Sequence, residues 1–414
     1  MTSARSRLPL LSGNSWLLIV FGAFASMACS PKINPVLSAT PKVEQTAVKK
    51  VSTAEPVAPP APVRSIALLL PFELDNLSQG AQYNAMSLSH AELSLDFYQG
   101  FKMALDTLAS KGYNYKLELF DTKGLPSEAQ QLAYNPNIRN SNLIIGPVFP
   151  DDLHAFADIL SGPAKLIVSP LSPASPAIIN NNNLVTVATP LEYHARATAR
   201  FILQHYKTQK IFILKSRFSE ENAYLTPFKN EIDSLTNRRA RLISAVIQHG
   251  QLGALLPQLS PNDENIFVVP ATNQPFLEVT LKSLDTLSKK YKVTLFGHPG
   301  WSKFSYLKAE LLQDMKTHIT STDYADRKSA RAKAFLHVYT QIYHTDPDYY
   351  AMMGYDEGLF FGNLLHTGKA GELDKIEFKG LLNLYHFTKK NGQGWINTHV
   401  NMLQYENPGL KKVE

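Results

Sequence analysis

The sequence predicts an α/β protein of two lobes, each a parallel β-sheet flanked by helices. From residue 65 onward, short apolar runs typical of strands buried on both faces alternate with segments of helical periodicity. Strands that alternate with helices form parallel sheets through right-handed crossovers. The chain holds about eight such units, more than one sheet comfortably carries, so we expect two sheets. With 414 residues and 44% hydrophobic content, it is long enough to fill both cores.

The expected elements follow in order along the chain. In the first half, strands are predicted at 66–71, 115–120, 142–148 and 165–168, with helices at 95–108, 125–134 and 151–160. In the second half, helices are predicted at 192–206, 226–235, 276–289 and, more weakly, 252–259, with strands at 210–214, 241–247, 266–269 and 293–296.

The segment from Glu73 to Glu92 is longer than the roughly two to six residues that usually join a strand to a helix. Three interpretations stay open for it: an ordinary insertion, a lid over a cleft, and a loop that binds a partner.

The N-terminus predicts an export signal. Arg5 and Arg7 precede an apolar run over residues 16–25, which is shorter than the roughly 20 residues that span a bilayer. A basic start, a short apolar run and small residues before Cys29 are typical of a cleaved signal peptide. We therefore expect residues 1–28 to be removed on export.

Cys29 is the expected lipidation site. The small Ala28 before the cysteine resembles a bacterial lipobox, although Ser26 stands where leucine is usual. The resemblance implies a protein of the Gram-negative envelope, held to the outer or inner membrane by its N-terminal lipid and facing the periplasm. Cys29 is also the only cysteine, so the chain forms no internal disulfide.

Residues 29–63 predict a disordered tether, and residues 64–414 the folded domain. The tether is rich in Pro and Ala and lacks aromatic side chains, so it has nothing with which to fill a core. The formal net charge is +6, but the basic residues are scattered along the chain. Nucleic-acid binding would need them gathered on one face, so we expect no nucleic-acid partner.

Five short patterns resemble the type I periplasmic-binding-protein family, which includes branched-chain amino-acid binding proteins and receptor ligand-binding regions. They cover residues 66–71, 97–101, 144–147, 168–170 and 349–356, and they occur in the family's order. In the second pattern, the resemblance implies that a glycine lets the first helix lie close on the sheet. It also implies a two-lobed α/β fold whose chain crosses between the lobes three times. Lobe one would comprise about 64–188 and 323–380, and lobe two about 189–322 and 381–414.

Candidate ligand-binding residues follow from this fold, because the carboxyl ends of parallel strands line the crevice where ligands bind. Two lobes can close such a cleft on a ligand. From the first lobe and then the second, the candidates are Phe72, Phe149, Asp151, Ser169, Ser172, Arg217, Phe218, Asn273, His298 and Trp301. We expect the Trp301 ring to be displayed, because it follows a turn rich in Gly and Pro. The alternative is that the aromatic candidates simply pack at the strand ends.

The amino-acid clamp of the resembled family is absent from the matching positions. Where those proteins place a serine or threonine for the ligand's carboxylate, this chain has Phe149 and Pro150. The far-lobe acidic residue would fall near Pro299, which offers neither a carboxylate nor a backbone donor. We therefore expect a small ligand other than a free amino acid.

Catalytic signals are missing from the sequence. It contains no Gly-x-Ser-x-Gly elbow, phosphate loop or His-Glu-x-x-His pair, and we expect neither a metal nor a cofactor. The expected function is non-catalytic binding of a small molecule for an ABC permease. The alternative is an interaction module resembling the lipoprotein activators of peptidoglycan synthases, an analogy that rests on fold.

Overall fold

Two seven-stranded β-sheets organise the chain in the computed structural model, which describes residues 62–77, 84–160, 165–173, 179, 181–207, 210–390, 392–406 and 409–414. The expected signal peptide and Cys29 lie outside the described residues, as does most of the expected tether. The predicted fold class of two parallel-dominated sheets flanked by helices is confirmed. None of the described helices is both long and apolar enough to cross a membrane.

The first sheet is parallel except at one edge. It contains β1 (Arg64–Leu70), β2 (Tyr115–Asp121), β3 (Leu143–Ile145), β4 (Ile167–Ser169), β5 (Leu184–Thr186), β13 (Phe387–Lys389) and β14 (Trp395–Asn397). The spatial order is β13-β14-β5-β4-β3-β1-β2, and only β13 runs antiparallel to its neighbour.

The second sheet repeats this plan. It contains β6 (Lys210–Lys215), β7 (Arg241–Val246), β8 (Asn265–Val269), β9 (Val293–Gly297), β10 (His318–Ser321), β15 (Asn401–Glu406) and β16 (Gly409–Lys412), in the order β16-β15-β10-β9-β8-β6-β7. Strand β15 is antiparallel to both of its neighbours. A separate antiparallel hairpin pairs β11 (Phe378–Lys379) with β12 (Leu384–Tyr385).

Helices cover the faces of both sheets. They are α1 (Ala85–Ala109), α2 (Pro126–Leu132), α3 (Pro136–Asn140), α4 (Pro150–Ala157), α5 (Leu191–His205), α6 (Asn222–Thr236), α7 (Gln274–Ser288), α8 (Ala309–Asp314), α9 (Ala330–Tyr343) and α10 (Tyr349–Thr367). The weaker helix expected at 252–259 is a 3-10 helix, Gly253–Gln258, with Pro257 inside it.

The apolar runs that predicted strands are buried on both sides, as expected. In β1, Ile66 and Leu68 join the core on one face of the first sheet, and Ala67 and Leu69 join the core on the other. All four side chains are at most 1% exposed. Alternate residues of a strand point to opposite faces, so a continuous apolar run suits a sheet covered twice.

Helix α1 begins well before its expected start at residue 95, so much of the predicted 73–92 loop is helical. Asn84 caps the helix by accepting a hydrogen bond from the Ser87 backbone N–H at 2.8 Å. Ser87 and Ser94 are buried on this first part of the helix. Because small polar residues form the buried side, the segment lacks the apolar periodicity that would have revealed a helix.

Glycines set the close approach of α1 to α10. A Cβ on Gly100 would lie 1.8 Å from the Ala351 carbonyl oxygen, and one on Gly354 would lie 2.1 Å from that of Phe97. The glycine in the 97–101 pattern therefore allows helix-on-helix packing, which corrects the expectation that it brings the helix onto the sheet.

Three crossings connect the lobes, and side chains tie them together. The first follows β5, the second follows β10, and the third lies at residues 398–400. Asn397 donates to the Val187 carbonyl at 3.1 Å, Asn401 donates to the Thr322 carbonyl at 3.1 Å, and the Thr189 N–H donates to the Thr322 hydroxyl at 3.2 Å. The expected third boundary at about residue 380 is wrong, because β13 and β14 still belong to the first sheet.

Candidate functional site

The first-lobe candidates lie where β1, β3 and β4 end. Phe72 follows β1, is half-buried and meets Tyr98 edge to face, with ring centroids 6.5 Å apart. Phe149 follows β3, is also half-buried, and occupies the N-cap position of α4. Parallel strands β1 and β3 are direct neighbours, so these two residues share one edge of the sheet.

A polar cluster that the prediction did not contain lies beside Phe149. The Glu73 carboxylate is 2.6 Å from Nδ1 of His90 on α1. The His90 ring lies against Phe149, with centroids 4.6 Å apart, and both approach Gly124. We call Glu73, His90 and Phe149 the first-lobe cluster. It combines an aromatic face with a titratable ring and a carboxylate.

Asp121 holds the backbone of this cluster in place. Glu73 has a φ of 53°, in the left-handed region that side chains other than glycine rarely adopt. The Asp121 carboxylate, at the end of β2, accepts the backbone N–H groups of Glu73 at 3.1 Å and Leu74 at 2.8 Å. These two bonds fix the turn that aims Glu73 at His90.

The pKa values of the two acidic groups near His90 are shifted in opposite directions. Burial raises the pKa of Glu73, but hydrogen bonds with Ser87, His90 and Asn76 outweigh it and leave this pKa below its usual value. Burial and the charge of Asp151 raise the pKa of Asp152 to about 6, although His90 opposes the shift.

One carboxylate oxygen of Asp152 lacks a hydrogen bond from the described residues. Its Oδ2 is buried and has no hydrogen-bond partner within the described ranges. Asp151, the predicted candidate, is exposed in the first turn of α4.

Ser169, the last residue of β4, and Ser172, three residues later, are both buried. The Ser169 hydroxyl donates to the Ser172 carbonyl at 3.0 Å. The Ser172 hydroxyl is buried and has no partner among the residues that the structure describes. A buried hydroxyl without a hydrogen-bond partner costs free energy. A ligand that accepted a hydrogen bond from Ser172 would remove that cost.

Four of the five second-lobe candidates are helix caps or exposed residues. Asn273 caps α7 by accepting the Phe276 N–H at 3.1 Å. His298 accepts the Gly300 N–H at 3.0 Å, and burial lowers the pKa of its ring to about 4. Arg217 and Phe218 follow β6 and are exposed, Phe218 to 54%.

Trp301 is a core residue, and the expectation of a displayed ring is wrong. Its side chain is 1% exposed, and its indole N–H donates to the Ala271 carbonyl at 2.9 Å. A Cβ on Gly297 would lie 2.3 Å from the ring. The glycine therefore makes room for an indole that packs inward, into the core between α7, α8 and the second sheet.

The structure thus brings together only part of the predicted site. Within the described residues, no hydrogen bond, ion pair or ring contact joins a first-lobe candidate to a second-lobe candidate. The sequence analysis did not identify His90, Asp121 and Asp152 as site residues. Asn84 is a typical helix-capping residue, and a helix predicted to start there would have placed His90 near the strand ends. Across the described ranges, no group of three His, Cys, Asp or Glu side chains could hold a metal ion.

Solved structures share this architecture. An ABC transporter substrate-binding protein from Desulfitobacterium hafniense in complex with Leu matches with a TM-score of 0.56 and 16% identity, covering 85% of this chain and 100% of its own. A branched-chain amino acid ABC transporter periplasmic ligand-binding protein from Burkholderia xenovorans matches with a TM-score of 0.59 and 13% identity, covering 85% and 94%. A solute-binding protein of an ABC transporter from Rhodopseudomonas palustris in complex with 3,4-dihydroxybenzoic acid has a TM-score of 0.51 and 15% identity, covering 85% and 96%.

These likenesses concern the fold. The chain has the two-lobed type I fold of periplasmic substrate-binding proteins, as the resemblance implied. No protein-family model and no curated protein matches the sequence.

Proposed function

We propose that this protein is a non-catalytic, lipid-anchored envelope protein that binds a small organic ligand between its lobes. The observation that carries the proposal is the first-lobe cluster, because it lies at strand ends, where α/β folds bind ligands. Pockets for small ligands combine apolar walls with a few placed polar groups. Phe149 and Phe72 supply half-buried aromatic surface, and His90 and Ser172 supply polar atoms.

The ligand is a small molecule other than a free amino acid. Pro150 opens α4 directly after Phe149, so this strand end lacks both a hydroxyl and one backbone donor. Pro299 opens the 3-10 helix Pro299–Lys303 in the second lobe and supplies no carboxylate for an ammonium group. Both ends of an amino-acid clamp are therefore missing. Lipid on Cys29 would hold the protein near an ABC permease, the proposed partner.

A second candidate function is a protein-interaction module that regulates peptidoglycan synthesis. One observation favours it: Leu88 and Leu95, seven residues apart and therefore on one face of α1, are 48% and 49% exposed. Apolar side chains exposed on one helix face are typical of contact surfaces between proteins.

A ligand screen on the full-length protein in non-ionic detergent tests the proposal. The panel contains L-leucine, benzoate and 3,4-dihydroxybenzoate, and thermal unfolding reports binding because a ligand specific for the folded state stabilises it. We expect one of the two aromatic compounds, which can stack on Phe149, to raise the melting temperature and leucine to leave it unchanged.

Variants then locate the binding. Phe149→Ala should weaken the ligand by roughly 1–3 kcal/mol, the scale of one aromatic contact, whereas Tyr134→Ala, at an exposed tyrosine, serves as the matched control. Unchanged affinity in Phe149→Ala would contradict the cleft assignment. No binding by the panel, together with capture of a peptidoglycan synthase that Leu88→Ser abolishes, would favour the second candidate.

A further inference from the structure

Basic side chains gather at one end of the first lobe. Strands β1 to β5 and β14 are parallel, so their amino ends share one edge of the sheet. These side chains are far apart in the sequence, and the parallel sheet brings them together at this edge and at the helix ends beside it. We call the following seven residues the basic end: Arg64, Lys111, Arg139, Lys165, Lys369, Lys389 and Lys390.

Contacts between neighbouring strands fix the position of four of them. Arg64 begins β1 and is in register with Tyr115 at the start of β2. Lys111 lies in the turn that leads from α1 into β2. The ammonium group of Lys165, just before β4, donates to the backbone carbonyl of Arg139 in α3, the helix that leads into β3. The amino ends of β1 to β4 therefore each have a basic residue beside them.

The same edge continues beyond β5. Lys389 ends the antiparallel β13 and is in register with Trp395 at the start of β14. Its ammonium group donates to the Asn182 carbonyl, just before β5, at 2.9 Å, and Lys390 follows it in the chain. Seven strands spaced about 4.8 Å apart form an edge about 29 Å wide.

Helix α10 ends at this edge as well. The Tyr115 hydroxyl donates to the Gly362 carbonyl at 2.9 Å, and the His366 ring stacks on Tyr113 with centroids 3.6 Å apart. Lys369 comes directly after the residue that caps the end of α10, and it is exposed.

The basic end has an excess of positive charge. Among the described residues, none of its seven side chains forms an ion pair with a carboxylate, and two nearby carboxylates, Asp158 and Asp374, are not paired with a lysine or an arginine. Seven cations thus stand against two carboxylates. The other carboxylates nearby are paired with lysines outside the basic end: Asp106 with Lys102 at 2.7 Å, Glu118 with Lys116 at 3.1 Å, and Glu372 with Lys375 at 3.1 Å.

The opposite end of the same lobe is acidic. Five carboxylates lie at or just after the carboxyl ends of β1, β2 and β3, and Lys123 pairs with one of them at 2.8 Å. The first lobe therefore has its two kinds of charge at opposite ends, and it would approach an anionic surface with the basic end first. The five carboxylates are those of Glu73, Asp75, Asp121, Asp151 and Asp152.

We propose that the basic end docks on the anionic surface of the bilayer that holds the lipid anchor, a proposal that rests on the proposed lipid at Cys29 to keep a bilayer near. Val63 directly precedes β1, so residues 30–63 join the lipidation site to the domain at this same end. Each basic residue close to an anionic bilayer strengthens binding by roughly fivefold. Docking leaves the first-lobe cluster, at the carboxyl ends of the strands, facing away from the bilayer.

Energy transfer from the protein to labelled lipid tests the docking. Cys29 is the only cysteine and is blocked by the proposed lipid, so Asn140→Cys, at an exposed residue beside Arg139, gives the full-length protein one thiol for a donor dye. The vesicles contain acceptor-labelled lipid in phosphatidylcholine, with or without phosphatidylglycerol. We expect phosphatidylglycerol to increase energy transfer from residue 140, and salt to reverse the increase by screening the charges. Gln251→Cys, at an exposed residue of the second lobe, is the control position, where we expect no increase.

Two charge variants locate the effect. Both remove four exposed basic residues that form no ion pair among the described residues, so they change the net charge equally. The ratio of docked to undocked protein should fall about a hundredfold or more in the basic-end variant and stay near the wild-type value in the second-lobe variant. Thermal unfolding verifies that both are folded. The basic-end variant is Lys111→Gln/Arg139→Gln/Lys369→Gln/Lys390→Gln, and the second-lobe variant is Lys282→Gln/Lys290→Gln/Lys303→Gln/Lys308→Gln.

The outcomes separate docking from anchoring. Equal energy transfer on both kinds of vesicle, wild-type transfer in the basic-end variant, or an equal loss in the second-lobe variant would overturn the docking. Reaction of Cys29 with the dye in the wild-type protein would instead refute the lipid anchor, and Cys29→Ser/Asn140→Cys would then measure docking alone. Binding to isolated peptidoglycan that the basic-end variant loses, without any effect of phosphatidylglycerol, would assign this surface to the cell wall and also overturn the proposal.

Discussion

Replacement of Trp301 by alanine should destabilise the protein rather than weaken ligand binding directly. The ring is 1% exposed and packs on Gly297 in the second-lobe core, so its removal leaves a large cavity. Truncating a buried aromatic residue to alanine typically costs about 3–5 kcal/mol. That is a large part of the roughly 5–15 kcal/mol that stabilises a typical folded protein.

Trp301→Phe separates the hydrogen bond from the packing. Phenylalanine keeps most of the apolar contact but leaves the Ala271 carbonyl without the indole donor that now lies 2.9 Å away. An unsatisfied buried acceptor costs about 1–3 kcal/mol, so this variant should be destabilised less than Trp301→Ala.

Urea unfolding of the full-length protein, followed by far-ultraviolet circular dichroism, measures both variants without relying on tryptophan fluorescence. We expect the unfolding midpoint to fall in the order wild type, Trp301→Phe, Trp301→Ala. A Trp301→Ala protein with the wild-type midpoint and reduced ligand affinity would refute the reasoning, because the ring would then line the cleft.

Three further perturbations test other parts of the molecule. Gly354→Ala should destabilise the α1–α10 contact by about 1–3 kcal/mol, because its Cβ would overlap the Phe97 carbonyl. Gly371→Ala, whose Cβ meets nothing within 4 Å, is the control, and equal melting temperatures of the two variants would contradict this prediction. Burial and the charge of Asp356 raise the pKa of Glu357 well above its usual value, so the folded state keeps a proton that the unfolded state releases above about pH 4.5. Stability contributed by this proton is therefore lost as pH rises, and the advantage of Glu357→Gln in chemical denaturation should grow with pH; a constant difference would count against it. Cys29→Ser should abolish incorporation of labelled fatty acid, and continued labelling would disprove the lipidation assignment.

Most strands and helices as far as β9 could be predicted because each sheet is covered on both faces. A strand that is buried on both faces needs a continuous run of apolar residues, such as the one in β1. Such runs can be recognised in the sequence alone. Strands β5 and β14 are not predicted, because each contains only two consecutive apolar residues. The equally short β3 and β4 lie within longer apolar runs.

The candidate site was less predictable because its contacts join distant parts of the chain. Strand ends could be located, and Phe72 and Phe149 lie there. His90 lies before the predicted start of α1 at residue 95, so the sequence pattern assigns it to a loop rather than to the helix. Trp301 was wrongly predicted to line the cleft. A Gly-rich turn can expose a neighbouring aromatic ring to solvent or leave space for that ring in the core, and the sequence pattern is the same for both arrangements. Only the packing of the ring against Gly297 shows that Trp301 lies in the core.

The hinge explains how such a site can close without rearranging either core. Side chains link all three crossings, with Asn397 joining the third to the first and Asn401 joining the third to the second. The Thr189–Thr322 bond joins the first to the second. Crossings tied in this way move together, so a change of lobe angle must be absorbed by backbone rotation at the few residues that flank them. The first-lobe cluster lies on strand ends away from these crossings. A rotation about the crossings therefore moves the second lobe relative to the first-lobe cluster and leaves the contacts within that cluster unchanged.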